Sequence, residues 1–179
     1  MKRRQQRLHW SEQGFTLMEV MVVTAIVGIM AAIAIPNYLS WKPGYEFRGA
    51  VSRIASDLNK ARARALEIRR ECRILFCGNA YQIIDGDQTM YSNWPAPPSA
   101  GACLSAAQQT TLENAGRRVR NISLADYNQV TVTAAAAAMP TFSPRGLATT
   151  TGTITVNHPK TKGADIVTNV TGRVRVAWK

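Results

Sequence analysis

The sequence predicts an α+β protein: one long amino-terminal helix packed against an antiparallel β-sheet domain. Three observations carry this. An apolar run from Phe15 to Ile35 holds Glu19 as its sole charge. Apolar residues then recur at helical spacing from Phe47 to Ile68. From Cys72 onward the chain breaks into short β-like segments separated by glycines and prolines.

The first element is not part of the fold. Residues 1–14 read MKRRQQRLHWSEQG, a basic, polar stretch ending in glycine. The run that follows, residues 15–35, would span about 30 Å as a helix, the thickness of a bilayer's hydrocarbon core. Positive residues ahead of it place the amino end in the cytoplasm and the rest beyond the inner membrane. A secretory signal would have a shorter apolar stretch with a small-residue cleavage site after it. Here the glycine comes first, so cleavage at Gly14 would leave the membrane helix on the mature chain. Glu19 sets this segment apart from an ordinary anchor, because a carboxylate in hydrocarbon costs several kcal/mol without a partner. The new amino group of Phe15 on a neighbouring subunit would be that partner.

Residues 36–71 continue the helix. Pro36 and Lys42-Pro43-Gly44 predict a kink or short break at the membrane exit. Phe47, Val51, Ile54, Leu58, Ala61, Ala65 and Ile68 then follow in steps of three and four, one face of an amphipathic helix. The opposite face carries Arg48, Arg53, Lys60, Arg62, Arg64 and Arg69, read as solvated.

Residues 72–179 form the β-rich domain. Cys72–Cys77 and Tyr81–Ile84 read as a hairpin turned at Gly78-Asn79. Asn93 to Gly101 reads as loop. Further strands are expected at Ile122–Leu124, Val130–Thr133 and Thr153–Val156, and at Ile166–Val170 with Arg173–Trp178 around Thr171-Gly172. The alanine run 134–138 is strand or loop, since Thr131–Thr133 and Pro140 leave a helix little room.

The net charge is +11, and removal of the leader leaves 18 basic and 10 acidic side chains, a charge of +8. That balance favours anionic partners, either nucleic acid or a phospholipid surface. Three cysteines, Cys72, Cys77 and Cys103, cannot all pair within one chain. Cys72 and Cys77 would lie on opposite faces of one strand, too far apart to bridge. Cys77 ends its strand and Cys103 follows a loop that can return to it, so Cys77–Cys103 is the preferred pair and Cys72–Cys103 the alternative. No metal-ligand spacing, phosphate loop or nucleophile with a base is present, so neither cofactor, metal nor enzymatic activity is expected.

Gly14-Phe15-Thr16-Leu17-Met18-Glu19 resembles the prepilin-peptidase site of type IV pilins and type II secretion pseudopilins. The resemblance implies cleavage after Gly14, N-methylation of Phe15, a role for Glu19 in assembly, and other pilin or pseudopilin subunits as partners. Three further stretches are similar to the GspH/FimT branch: Arg69-Arg70-Glu71-Cys72-Arg73, Phe142-Ser143-Pro144-Arg145-Gly146 and Gly172-Arg173-Val174-Arg175-Val176. Segment 86–128 is the least family-like. Together they imply a minor pilin of a type IV pilus, or alternatively a GspH-like pseudopilin of a type II secretion system.

In a strand, Arg173 and Arg175 point the same way and form a phosphate-gripping pair. Lys160, Lys162 and Lys179 are close enough in sequence to extend it. An edge strand defended by charge would look similar. In FimT-type minor pilins a GRxR motif is associated with double-stranded DNA during natural transformation, and Arg173 and Arg175 match its two arginines. The cluster Arg117-Arg118-Val119-Arg120 would join the same surface or lie in a solvated loop.

Overall fold

A computed structural model describes residues 14–87, 92–95, 101–127, 129–134 and 139–179. The expected leader up to Gln13, most of the loop 93–101 and most of the alanine run lie outside the described residues. The chain divides into two units, Met1–Trp41 and Lys42–Lys179.

Helix α1 runs from Leu17 to Ile68, 52 residues, and forms nearly all of the described part of the first unit. It passes through Pro36 and Pro43 without the break that the prolines predict. Each proline withholds one N–H, from the carbonyls of Ala32 and Leu39 respectively. The hydrogen bonds of the flanking turns are enough to carry the backbone across. In the first unit the apolar side chains lie exposed, and this is the one described helix long and apolar enough to cross a membrane.

In the second unit α1 buries Phe47, Val51, Ile54, Leu58, Ala61 and Ala65, the stripe predicted from spacing, while Ile68 is partly buried. Ala50 and Asp57 join the buried face. Two antiparallel sheets cover it. The first has the order β3-β2-β1-β5-β6, built from β1 (Cys72–Cys77), β2 (Ala80–Asp85), β3 (Val119–Ser123), β5 (Thr141–Phe142) and β6 (Ala148–Thr150). The second has the order β4-β7-β8-β9, built from β4 (Thr131–Ala134), β7 (Gly152–His158), β8 (Thr161–Thr168) and β9 (Val174–Trp178). Side chains from α1 and from both sheets share one core.

The β1–β2 hairpin turns where the sequence places it, with Cys77 opposite Ala80 and Gly78 at φ +69°. Apart from Arg73, strand β1 is apolar because both its faces are covered. Ile74 and Phe76 face the main core. Leu75 joins Ile84, Leu104, Leu112 and Val119 in a second cluster. That cluster is closed by a helix the sequence reading lacks, α2 (Ala106–Asn114). Gln82 holds the approach to α2, accepting from the Leu104 N–H at 2.8 Å and donating to Asn121 at 2.7 Å.

Candidate functional site

The amino-terminal site is built on the start of α1. Thr16 Oγ1 accepts the backbone N–H of Glu19 at 3.2 Å, an N-cap that satisfies one of the helix's orphan donors. Phe15, just outside the helix, is 82% exposed. Glu19 is exposed in an otherwise apolar segment.

At the other end of the chain, β8 and β9 form a hairpin at the edge of the second sheet. Arg175 stands opposite Val167, and Ala177 opposite Asp165. Val167 in turn faces Thr153, and Asp165 faces Thr155. Paired residues share a face, so Arg175 lies on a polar outer surface while Val174 and Val176 pack inward. Arg173 shares the parity of Arg175. Its N–H donates to Asn169 Oδ1 at 2.9 Å, and Gly172 before it has φ +72°. Both arginines are exposed, and neither forms an ion pair among the described residues.

The three lysines do not extend this pair as the sequence suggests. Lys160 lies in the turn between β7 and β8, and Lys162 at the start of β8. Both sit at the end of the hairpin away from Arg173, six residues or about 20 Å along the strand from Lys179 to Arg173. Alternation also puts Lys162 on the face opposite Asp165. Lys179 donates to Asp165 Oδ1 at 2.9 Å. That hydrogen bond chiefly holds the Asp165 carboxyl below the usual range, with a further one from Thr155. The antiparallel return of β9 separates what is close in sequence.

Other basic residues find internal work. Arg64 meets Asp85 at 3.3 Å and Glu67 at 3.4 Å, Lys60 meets Asp57 at 2.9 Å, and Arg53 meets Asp126 at 3.7 Å. The helix face read as solvated is therefore partly a set of struts. Arg117 is buried beside Trp94, its guanidinium 5.1 Å from the ring centroid. Arg118 and Arg120 flank and enter β3 in the first sheet, so this cluster is not continuous with Arg173 and Arg175. Arg145 was missed. It is exposed in the turn between β5 and β6, which meets the β8–β9 turn through Ala148 N–H donating to Val170 O at 3.1 Å.

Cys77 and Cys103 are bonded, with Cα atoms 5.2 Å apart. Cys72 is buried, and its thiol donates to Asp85 Oδ1 at 3.5 Å. Burial, reinforced by the Asp85 charge, pushes its pKa well up. Among the described residues no group of three His, Cys, Asp or Glu side chains is placed to hold a metal ion.

A long apolar amino-terminal helix that runs into an antiparallel β domain, with Gly14-Phe15 ahead of it and Glu19 within it, defines the class of type IV pilin-like subunits. The family described as type II transport protein GspH matches residues 50–172, and the prokaryotic N-terminal methylation motif matches residues 11–35. The chain belongs to the GspH family of these proteins. The type IV major fimbrial protein FimA of Dichelobacter nodosus is 34% identical over 115 residues, covering 60% of this chain and 69% of FimA. The type II secretion system core protein G of Pectobacterium carotovorum subsp. carotovorum is 40% identical over 47 residues, 26% of this chain and 30% of that protein. Among solved structures, the type IV minor pilin FimU of Pseudomonas aeruginosa covers 76% of this chain and 91% of its own, at 17% identity and a TM-score of 0.47.

Proposed function

We propose that the chain is a minor subunit of a type IV pilus. Prepilin peptidase cuts between Gly14 and Phe15, Phe15 is N-methylated, and residues 15–35 hold the subunit in the inner membrane and then in the filament. The globular domain lies on the periplasmic side. The observation that carries this reading is the exposed apolar length of α1 with a single carboxylate, Glu19, one helical turn from Phe15. The test is the mass of the amino-terminal peptide from native cells. A methylated Phe15 is expected, and a protein still beginning at Met1 sinks the proposal. Recovery in sheared surface pili, rather than only with secretion machinery, separates the pilus from the pseudopilus.

A second reading is favoured by Arg173 and Arg175, exposed on one face without carboxylate partners among the described residues. They would grip the phosphate backbone of double-stranded DNA with little sequence preference. Replacing both with alanine should abolish binding at moderate salt while the thermal transition is kept. Unchanged affinity removes this reading.

A further inference from the structure

The lysines that do not join Arg173 and Arg175 lie around a cavity of their own. It measures about 490 Å³ and opens between the start of the second unit's helix and the ends of β8 and β9. Arg48, Lys162 and Lys179 line it, with Phe47 and Trp178 as apolar wall. No Asp or Glu side chain is in the lining, although Asp165 pairs with Lys179 from outside it at 2.9 Å. The groove along Lys60, Arg64, Arg118 and Arg120 differs in this, since Glu67 and Asp85 share it and offset its charge. Thr161 Oγ1, also at the cavity, is buried with no hydrogen-bond partner among the described residues. Such a hydroxyl is unfavourable unless a ligand or water meets it. Trp178 is 56% exposed, with its ring edge-on to Phe47 at 6.1 Å.

Cations, an unsatisfied hydroxyl and an exposed indole together suit a phosphate that carries an apolar tail. The chain's own connectivity says where that phosphate comes from. Gly44, at the cavity, follows Trp41 by three residues, a reach of at most about 11 Å however the two units are arranged. Tyr38 and Trp41 are exposed aromatics at the end of the apolar segment, the residue types that settle at a bilayer's headgroup level. We propose that this cavity binds the phosphate headgroup of an anionic phospholipid, and that it holds the domain against the membrane before the subunit enters a filament. The inference rests on insertion of residues 15–35 in the bilayer, which resistance of the full chain to carbonate extraction reports separately.

The experiment is native mass spectrometry of the full chain, released from detergent with equal amounts of phosphatidylglycerol and phosphatidylcholine. Phosphatidylglycerol should stay bound while phosphatidylcholine, whose choline meets Arg48 and Lys162, neither of them in an ion pair among the described residues, is lost. Retention should fall roughly fivefold with each of Arg48→Gln and Lys162→Gln, as expected for a cation at a membrane surface, and Arg173→Gln should leave it unchanged. Both Arg48 and Lys162 are exposed, so matching thermal transitions check that the variants fold. Equal retention of the two lipids, or unchanged retention in the double variant, overturns the proposal. Displacement of the lipid by equimolar inorganic phosphate overturns the lipid as source. Loss of binding to a short DNA duplex in the double variant, with lipid retention intact, reassigns the cavity to nucleic acid.

Discussion

Arg62 on α1 donates its Nε–H to the carbonyl of Gly146 at 2.8 Å, and the same carbonyl abuts Gly172. One helix side chain thus ties down two turns that carry family-like motifs, Phe142 to Gly146 and Gly172 to Val176. Both glycines have positive φ, +75° and +72°. A Cβ on Gly172 would collide with the Gly146 carbonyl oxygen and stand 3.0 Å from Arg62 Nε.

Gly172→Ala should therefore cost about 2 kcal/mol or more, from left-handed strain and the collision together. Arg62→Lys keeps the charge but not the planar donor, and should cost about 1–2 kcal/mol through the unsatisfied carbonyl. Thermal unfolding of the detergent-solubilised chain measures both. If Gly172→Ala melts with the wild type, the turn is not under the constraint described.

The motifs were legible in the sequence, but this meeting was not. Gly146 and Gly172 are brought together by strand order, and nothing in local spacing encodes Arg62 as their common anchor. The helical stripe from Phe47 to Ala65 and the β1–β2 hairpin were readable because each obeys its own period. Strands β5 and β6 are two and three residues long, too short for any period to register. Helix α2 buries Leu112 alone, so hydrophobic spacing could not find it. Its capping box, Ser105 with Gln108, was the available signal. Lys160, Lys162 and Lys179 lie apart from Arg173 although close to it in sequence, because an antiparallel hairpin sets its turn and its open end far apart.

Asp57 is the buried polar residue on the apolar face of α1. Tyr81 donates its hydroxyl to Asp57 at 2.5 Å, and Lys60 donates at 2.9 Å. Burial alone would raise the carboxyl's pKa, yet these hydrogen bonds outweigh it and hold the group below its ordinary value. A pKa lower in the folded state contributes stability above the unfolded value, near 4, and that stability is lost as pH falls through the folded value. Acid titration followed by circular dichroism should show stability declining from about pH 4 downward. Asp57→Asn should be less stable at neutral pH but shallower in that window. Tyr81→Phe should cost about 1–3 kcal/mol at pH 7, leaving a buried carboxylate short of a donor.

The Cys77–Cys103 bond closes a loop with a sequence separation of 26. On the chain-entropy estimate it stabilises by about 3 kcal/mol, so Cys77→Ser with Cys103→Ser should lower the thermal transition by several degrees. Cys72 should resist alkylation in the native state, being buried with a raised pKa. Peptide mapping after iodoacetamide gives the check. Rapid native labelling at Cys72, or a linked peptide containing it, contradicts this arrangement.

Glu19 poses the sharpest energetic problem in the chain. Its helix position is secured by the Thr16 cap and does not require the carboxylate side chain. Glu19→Gln should accordingly leave helix, membrane insertion and cleavage after Gly14 intact. On the proposed reading, what it removes is a charge that costs several kcal/mol in hydrocarbon and that the amino group of a neighbouring Phe15 would offset. The proposed pairing would make the wild-type chain less stable alone in the bilayer than beside a partner, a difference that glutamine would erase. Processed Glu19→Gln protein should accumulate in the membrane fraction and be depleted from sheared filaments. Equal recovery in filaments would show that the carboxylate does not drive pairing, and that apolar packing along residues 15–35 is sufficient.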